Sequence, residues 1–395
     1  LLLPDGRVLA AGGGALATTE ALDLNRGTWS RSEPMGTARS GHRLVLLRSG
    51  RVLAIGPGTT TELRDPATGA WTASGPLGTG RTAFTATLLG DGRVLVVGGH
   101  AGPEPAYATA EVYDPTTGAW TAAGSMVTPR YAPFAVLLAN GKVLVGGGLG
   151  SASGAAPFAP LATAEVWDPA GGGGAGAFTA TGSLAAARQL ATATLLSDGR
   201  VLVAGGDQDL TALASSEVWD PAADAGAGAF SASGPLPAAR SLHTATLLPN
   251  GKVLATGGCN GAFCGTYLAT AAIWDPAGAG TWSAALTMGT ARRRHVAAIV
   301  PDGRIVVVGG ENSGGAVTSV EIWEAGADAW SATGSMAGTR DEPLLVPLAD
   351  GRVLVVGADS GTGNTTAEVW NPLPAPGAWS ATDPMITARG RHTLT

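Results

Sequence analysis

The sequence predicts an all-β fold built from eight copies of one four-stranded unit. The first observation is a motif, clearest as Asp-Gly-Arg-Val-Leu-Val-Val-Gly-Gly at residues 91–99, which recurs at intervals of roughly 40–60 residues. The second is that no helical periodicity separates the copies. The glycine before the Arg or Lys marks each copy, at Gly6, Gly50, Gly92, Gly141, Gly199, Gly251, Gly303 and Gly351. Strand-only repeats of this length are typical of the blades of a β-propeller.

The fifth copy shows the four predicted strands in order. Apolar segments at 191–196 and 200–204 flank an Asp-Gly turn, which is a strong hairpin signal because its central residues need positive φ. A Gly-Gly doublet ends the second strand. The third strand begins at Glu217 and is broken by an Asp-Pro pair, and the fourth contains Phe230. Each copy therefore predicts one antiparallel blade.

The two ends of the chain are predicted to complete one blade together. Residues 1–9 read as the end of a first strand followed by a second, and residues 387–395 read as the beginning of a first strand. This join would leave no unpaired sheet edge between the first and last blades. We therefore expect residues 1–395 to form a single eight-bladed domain. The competing interpretation is an excerpt from a longer repeat array.

The repeat resembles that of the kelch family, in which a Gly-Gly doublet follows an apolar strand and two aromatic residues come later. The first aromatic is Tyr113, Trp167, Trp219, Trp274, Trp323 or Trp370, and the second is Trp29, Trp71, Trp120, Phe178, Phe230, Trp282, Trp330 or Trp379. The resemblance spans essentially the whole chain and implies a propeller like the central domain of galactose oxidase. Kelch propellers include enzymes, adaptors and ligand-binding modules, so the resemblance does not fix the function.

Composition and charge narrow the range of partners. The net charge is −6 and only 14% of residues are charged. With two lysines in all, the chain lacks the basic surface that nucleic acid requires. The longest apolar runs have the length of a strand rather than the roughly 20 residues of a membrane span. The sequence therefore predicts no nucleic-acid partner and no membrane insertion, and it leaves the oligomeric state open.

Both cysteines, Cys259 and Cys264, lie in one short loop. No histidine or third cysteine is near enough in sequence to complete a metal site, so a disulfide is expected, with two free thiols as the alternative. A disulfide would indicate an extracellular, cell-surface or periplasmic location. A glycosylation sequon at Asn364 agrees with this location, although such triplets also arise by chance.

The inter-blade loops and the loops between second and third strands are predicted to share one face. An arginine precedes the first strand in all eight copies, at Arg39, Arg81, Arg130, Arg188, Arg240, Arg292, Arg340 and Arg389. A glutamate begins the third strand in seven, at Glu20, Glu62, Glu111, Glu165, Glu217, Glu321 and Glu368, and Ala272 replaces it in the sixth. The kelch resemblance implies that the arginines ring the channel mouth, where unpaired neighbours would repel by roughly 2 kcal/mol. We expect a structural ring of Arg–Glu pairs, unless some arginines keep donors for an anionic or hydroxyl-rich ligand.

The candidate ligand-binding site lies in copies seven and eight, where polar residues are densest. It comprises Arg292, Arg293, Arg294, His295, Glu311, Arg340, Asp341, Asp359, Arg389 and His392. A solvated rim of ion pairs is the alternative. Histidines occupy the third position after the arginine in four copies, at His42, His243, His295 and His392, but Phe, Pro or Ala stand there in the others. Packing residues are therefore expected rather than a metal site, and no cofactor is predicted.

Two classes of function follow. The favoured one is a secreted or cell-surface module that binds a protein or glycan, with Tyr107, Phe158 and Tyr267 as aromatic contacts in the longest loops. The alternative is a carbohydrate-active epimerase or lyase that uses Glu311 or Asp359 with His295 or His392 as an acid–base pair. A copper oxidase like galactose oxidase is less favoured, because only four tyrosines are present and Tyr113 fills the structural aromatic position.

Overall fold

The structure, a computed structural model, describes residues 1–102, 105–150, 158–285, 287–348, 350–357, 365–373 and 377–389. The predicted site residues Asp359 and His392 and the sequon at Asn364 lie outside these ranges. The chain forms two compact parts, one of residues 1–75 with 286–395 and one of residues 76–285, and each is described by itself. No helix in the described ranges has the length and apolar character needed to cross a bilayer.

Strands dominate both parts. The first strands of repeats two to eight are Arg43–Leu46, Thr85–Leu88, Phe134–Leu137, Thr192–Leu195, Thr244–Leu247, Val296–Ile299 and Leu344–Pro347. The second strands of repeats one to eight are Val8–Ala11, Val52–Ile55, Val94–Val97, Val143–Gly146, Val201–Ala204, Val253–Thr256, Ile305–Val308 and Val353–Val356. The third strands are Thr19–Asp23, Thr61–Arg64, Thr109–Asp114, Ala164–Asp168, Ser216–Asp220, Ala271–Asp275, Val320–Glu324 and Ala367–Asn371. The fourth strands are Thr28–Ser32, Trp71–Ala73, Ala119–Ser125, Ala177–Ala180, Ala229–Ser233, Thr281–Ala285, Ala329–Ala332 and Ala378–Ala381.

The loops contain shorter elements of secondary structure. Two-residue strands lie at Arg130–Tyr131, Leu149–Gly150, Ala159–Pro160, Asp207–Gln208, Thr211–Ala212, Cys259–Asn260, Thr266–Tyr267, Glu311–Asn312 and Gly315–Ala316. Single 3-10 turns lie at Gly172–Gly174 and Asp224–Gly226. In the described residues each repeat is an antiparallel sheet with its strands in chain order, four-stranded in repeats two to eight and three-stranded in repeat one. The all-β fold with four antiparallel strands per blade is confirmed, and the number of blades stays a prediction.

Burial follows position in the blade. The second strands are buried along their whole length, and within each part successive sheets pack face to face. In residues 76–285, for example, Leu95 and Val97 of repeat three pack in one cluster with Val143 and Trp167 of repeat four. The fourth strands alternate partly buried and exposed residues and form the outer edge. The core is thus distributed as layers between successive sheets.

The Gly-Gly doublet joins consecutive blades. Gly206 donates its N–H to the carbonyl of Arg240 in the next repeat at 3.0 Å. Gly205 has φ +60°, and a Cβ there would lie 2.5 Å from the Arg240 carbonyl and 2.8 Å from Cε1 of His243. Only glycine tolerates both the backbone conformation and the close approach. The doublet therefore marks the point where one blade meets the chain that enters the next.

The two ends of the chain meet within the part made of residues 1–75 and 286–395. Arg389 donates to the carbonyl of Gly12 at 2.8 Å and forms an ion pair with Glu20, and Leu2 forms a β-bridge with Val8. Val8 packs in one core cluster with Leu354 of the last repeat. These contacts agree with the predicted shared blade. Of the segment 387–395, which is expected to begin its first strand, residues 390–395 lie outside the described residues.

Candidate functional site

The eight repeated arginines are fully buried, each with an exposed fraction of 0%. Nη1 of Arg188 illustrates the shared geometry, because it donates to the carbonyls of Gly205 at 2.9 Å and Ser215 at 3.1 Å. Seven arginines also form ion pairs, with Nη2–Oε1 distances of 2.8 Å for Arg39–Glu62, 2.7 Å for Arg81–Glu111, 3.2 Å for Arg130–Glu165, 2.6 Å for Arg188–Glu217, 2.9 Å for Arg292–Glu321, 2.9 Å for Arg340–Glu368 and 2.8 Å for Arg389–Glu20. Each pair ties an inter-blade segment to the third strand of the blade that follows it.

This burial bears on whether three residues of the predicted ligand site are accessible to a ligand. Arg292, Arg340 and Arg389 have no exposed surface, and their guanidinium groups bond glutamate and backbone carbonyls just as the arginines of the other repeats do. They therefore lie beneath the rim, where a ligand would not reach them. Nη1 of Arg292, for example, donates to the carbonyl of Gly309 in the Gly-Gly doublet at 2.9 Å. The expected ring of arginines at a channel mouth stays a prediction.

A second feature joins the loops of this face. In five repeats the residue after the arginine pairs with the residue after the Gly-Gly doublet of the same repeat, and we call these positions the rim pairs. They are Thr82 with His100, Tyr131 with Leu149, Gln189 with Asp207, Ser241 with Cys259 and Arg293 with Glu311. The sequence analysis named both members of only one pair, Arg293 and Glu311, as candidate ligand residues. The complementary side chains of Gln189 with Asp207 and of Arg293 with Glu311 were the signal that could have revealed the pairing.

The predicted cluster of repeat seven is an ion-pair network. Nη2 of Arg293 lies 2.7 Å from Oε1 of Glu311, and Arg294 lies 3.6 Å from Glu311, 3.6 Å from Asp341 and 3.4 Å from Glu342. The side chain of Asp341 is only 2% exposed. The carboxylate of Glu311 is therefore engaged by two guanidinium groups, which suits charge neutralisation better than proton abstraction.

The histidines after the arginines are buried. His42 and His295 are 0% and 4% exposed, and His243 is 7% exposed with Nε2 lying 3.2 Å from the Thr192 hydroxyl. Burial, reinforced by nearby Arg39, lowers the pKa of His42 to about 4. Across the described ranges, no three His, Cys, Asp or Glu side chains gather closely enough to hold a metal ion.

The rim of repeats five and six carries exposed apolar side chains. Leu190 is 45% exposed, Leu210 50% and Phe263 77%, and we call these three the apolar crest. The loops that hold them contact each other, because the N–H of Phe263 donates to the carbonyl of Leu210 at 3.1 Å and Thr211 forms a β-bridge with Ala262. The predicted disulfide between Cys259 and Cys264 is present and closes the loop of Phe263.

The base of the apolar crest is fixed by hydrogen bonds. Asp207 is 8% exposed; it accepts from the Gln189 amide at 2.8 Å and from the Ser241 hydroxyl at 3.2 Å. Leu190 follows Gln189 directly and has φ +52°, a left-handed conformation that costs a non-glycine residue about 1–2 kcal/mol. The same position has positive φ at Ala83, Ala132, Leu242, Arg294 and Glu342, so this conformation belongs to the repeat and is not a mark of function at Leu190.

Aromatic residues group on the rim of repeats three and four. The rings of His100 and Tyr131 lie 4.9 Å apart, and those of Tyr131 and Phe158 lie 5.3 Å apart, both edge to face. All three are partly exposed, and burial raises the pKa of Tyr131. Tyr107 stacks separately on the guanidinium of Arg81 at 5.6 Å. Of the aromatic contacts predicted from sequence, Phe158 thus joins a group, whereas Tyr107 covers a structural arginine.

Comparison with known proteins agrees with this architecture. Residues 81–127 and 292–337 each match the family model described as Kelch motif. The chain carries kelch motifs on a β-propeller fold. It is similar to a fungal alcohol oxidase of the AA5 family in complex with copper, at 19% identity and a TM-score of 0.59, over 82% of this chain and 71% of that chain. It is also similar to YjhT, at 16% identity and a TM-score of 0.51, over 75% of this chain and 97% of that chain. No curated protein matches the sequence.

At these identities the two structures share the fold of the kelch propeller and say nothing about its ligand. The functional argument therefore depends on side chains that the repeat does not require. In the part made of residues 76–285 these are the apolar crest and the group of His100, Tyr131 and Phe158. In the other part they are the ion pairs around Glu311 and Arg294.

Proposed function

We propose that this kelch propeller is a binding module that recognises a protein ligand through the face carrying the inter-blade and second-to-third-strand loops. The proposal treats residues 1–395 as one domain. The observation that carries it is the apolar crest, three large apolar side chains exposed on three loops that hydrogen bonds join to one another. Exposed apolar side chains that group on one surface mark protein-interaction sites.

The disulfide supports a location outside the reducing cytosol. A disulfide that closes a loop of this face would persist in an extracellular, cell-surface or periplasmic protein. The ligand would then be a protein of that compartment.

A glycan ligand is the second candidate, favoured by one specific observation. The edge-to-face group of His100, Tyr131 and Phe158 offers partly exposed rings on the same face of residues 76–285. Sugar rings stack on such surfaces. An acid–base enzyme has less support, because Glu311 is bonded to Arg293 and contacts Arg294.

The test compares the wild-type chain with three variants, Phe263→Ser, Tyr131→Ala and Leu373→Ser. Leu373 is the matched control, because it is 70% exposed but lies on a loop between third and fourth strands, at the opposite end of its blade. Capture from culture medium with quantitative mass spectrometry reports protein ligands, and a glycan array reports sugars. A protein ligand should bind the control normally and Phe263→Ser at least about 30-fold more weakly, as for an interface anchor worth about 2 kcal/mol.

One further outcome of these experiments would favour the glycan candidate, and others would contradict the proposal. Sugar binding that is lost only in Tyr131→Ala would favour the glycan candidate. If a captured protein binds Phe263→Ser as tightly as wild type, or if neither screen gives a ligand, the proposal is wrong.

A further inference from the structure

Repeat six departs from the other seven at its buried arginine. Arg240 is 0% exposed like its counterparts, but the position of the glutamate holds Ala272, which is also fully buried. Ala272 lies opposite Ala255 and Ala284 in the sheet and packs with Leu236 and Trp282, so none of these neighbours supplies a charge in place of the missing carboxylate. The repeat thus keeps the cation and lacks the anion.

All the hydrogen bonds of Arg240 go to neutral acceptors. Nη1 donates to the carbonyls of Gly257 at 2.9 Å and Thr270 at 3.0 Å, and Nη2 donates to the Thr270 hydroxyl at 3.2 Å. In the other seven repeats Nη2 also donates to a glutamate oxygen. Nε of Arg240 has no acceptor within the described part of the chain. Nη2 therefore retains the donor that elsewhere meets a carboxylate.

Repeat six also lacks one of the backbone donors that bond the glutamate in the other repeats. In the seven complete repeats, Oε2 of the glutamate accepts the N–H of the third residue before the arginine, such as Ala185 before Arg188 at 2.8 Å. In six of them Oε1 also accepts the N–H of the next residue, such as Thr290 before Arg292 at 3.0 Å. The third residue before Arg240 is Pro237, which has no N–H. Of the two backbone donors, only the N–H of Ala238 remains.

The two donors that remain in repeat six correspond to donors that share one oxygen elsewhere. In six of the seven complete repeats Oε1 accepts from both Nη2 of the arginine and the N–H two residues before it, as in repeat two. By position in the repeat, Nη2 of Arg240 and the N–H of Ala238 correspond to those two donors, and Pro237 removes the donor for the second oxygen. This arrangement suits a one-atom acceptor better than a carboxylate.

The guanidinium of Arg240 is charged and buried, so an anionic acceptor would stabilise it. Burial lowers the pKa of Arg240 to about 10, so the guanidinium remains protonated at neutral pH. Burial also lowers the pKa of Arg188, but Glu217 opposes the change there. A buried charge without a counter-charge is strongly unfavourable, and a bound anion would supply the missing compensation.

We propose that the space left by the missing glutamate in repeat six binds a small monovalent anion of halide size, held by Nη2 of Arg240 and the N–H of Ala238. Chloride is the abundant anion of this size and charge. The site is independent of the ligand-binding proposal above, because it lies beneath the rim and serves the fold of repeat six.

Crystals soaked in bromide provide the first test, since bromide replaces chloride and is located by its anomalous scattering. A peak is expected beside Nη2 of Arg240, and the seven arginines paired with glutamate serve as internal controls without peaks. No peak beside Arg240 would overturn the proposal. This measurement uses the unaltered protein and does not depend on any variant folding.

The second test measures the melting temperature as chloride replaces gluconate from about 1 mM to about 100 mM at constant ionic strength. The wild-type melting temperature should rise by on the order of 1–3 °C, because an anion that binds only the folded state stabilises it by mass action. The double variant Ala272→Glu with Pro237→Gly restores the carboxylate and its backbone donor, and it should not respond. An equal response in both proteins would show that chloride acts elsewhere and would overturn the proposal.

Discussion

Replacing Glu217 with alanine should reproduce in repeat five the arrangement that repeat six has naturally. Oε1 of Glu217 accepts from Nη2 of Arg188 at 2.6 Å, and Oε2 accepts from the N–H of Ala185 at 2.8 Å. The arginine side chain is 0% exposed and the glutamate side chain 4% exposed. The substitution therefore leaves a buried cation without its anion and a backbone donor without its acceptor.

The expected loss of stability is large for a single substitution. Removing one member of a buried ion pair costs about 3–5 kcal/mol, because the remaining charge stays buried without compensation. Glu217→Gln keeps the shape and one acceptor, so its cost should be smaller, about 1–3 kcal/mol. Arg200→Ala is the matched control, since the Arg200–Asp198 pair of the same repeat is 25% and 45% exposed and should contribute about 0–1 kcal/mol.

Urea unfolding followed by tryptophan fluorescence would measure the free energy of unfolding of all three variants and of the wild type. Glu217→Ala should also become more stable as chloride replaces gluconate, and to a greater degree than wild type, because Arg188 is then left without a counter-charge, as Arg240 is. A cost for Glu217→Ala no larger than that of Arg200→Ala would refute the reasoning, since it would mean that the buried pairs do not hold the blades.

Two further predictions concern the glycine doublet and pH. Gly205→Ala should destabilise the fold by about 3 kcal/mol or more, because its Cβ would clash with the Arg240 carbonyl. Gly199→Ala is the control and should cost only about 1–2 kcal/mol, because Gly199 also has positive φ, +87°, but has open space around it. Urea unfolding measures the difference in stability between the two variants. The pKa of His42 in the folded state, about 4, lies below its value in the unfolded chain, so the free energy of unfolding should fall as the pH drops from about 6.5 towards 4. His42→Phe should remove that part of the pH dependence. Unfolding curves at pH 7 and pH 4.5 test this.

The sequence was sufficient to predict the strands of each repeat because they depend on local signals. The turn at 198–199 fixes the first hairpin, and the apolar run Val201–Ala204 becomes a strand buried on both faces. The position of Glu217 on the same face as Arg188 also followed from strand order. The direction of the arginine side chain did not, because it depends on carbonyls at Gly205 and Ser215 that only the folded loop brings together.

The rim was less predictable for a physical reason. Leu190, Leu210 and Phe263 are apolar residues in loops, and a pattern of apolar residues cannot distinguish an exposed loop tip from one that folds back onto the core. Tyr131 was overlooked because it directly follows a repeated arginine, although its ring contacts both His100 and Phe158. The polar residues of repeat seven attracted attention instead, and there the structure shows charges that largely satisfy one another.

Repeat six shows how a repeated scaffold can carry a local change without losing its fold. The absence of a glutamate at Ala272 removes an ion pair of the kind that holds the other repeats. The disulfide between Cys259 and Cys264 acts in the opposite direction, because closing a loop this short contributes about 2 kcal/mol by restricting the unfolded chain. An anion beside Arg240 would add further compensation at the ion pair itself. The loop that carries Phe263 can therefore be held rigidly on a blade that lacks the standard pair, and rigidity lowers the entropic cost of presenting Phe263 to a ligand.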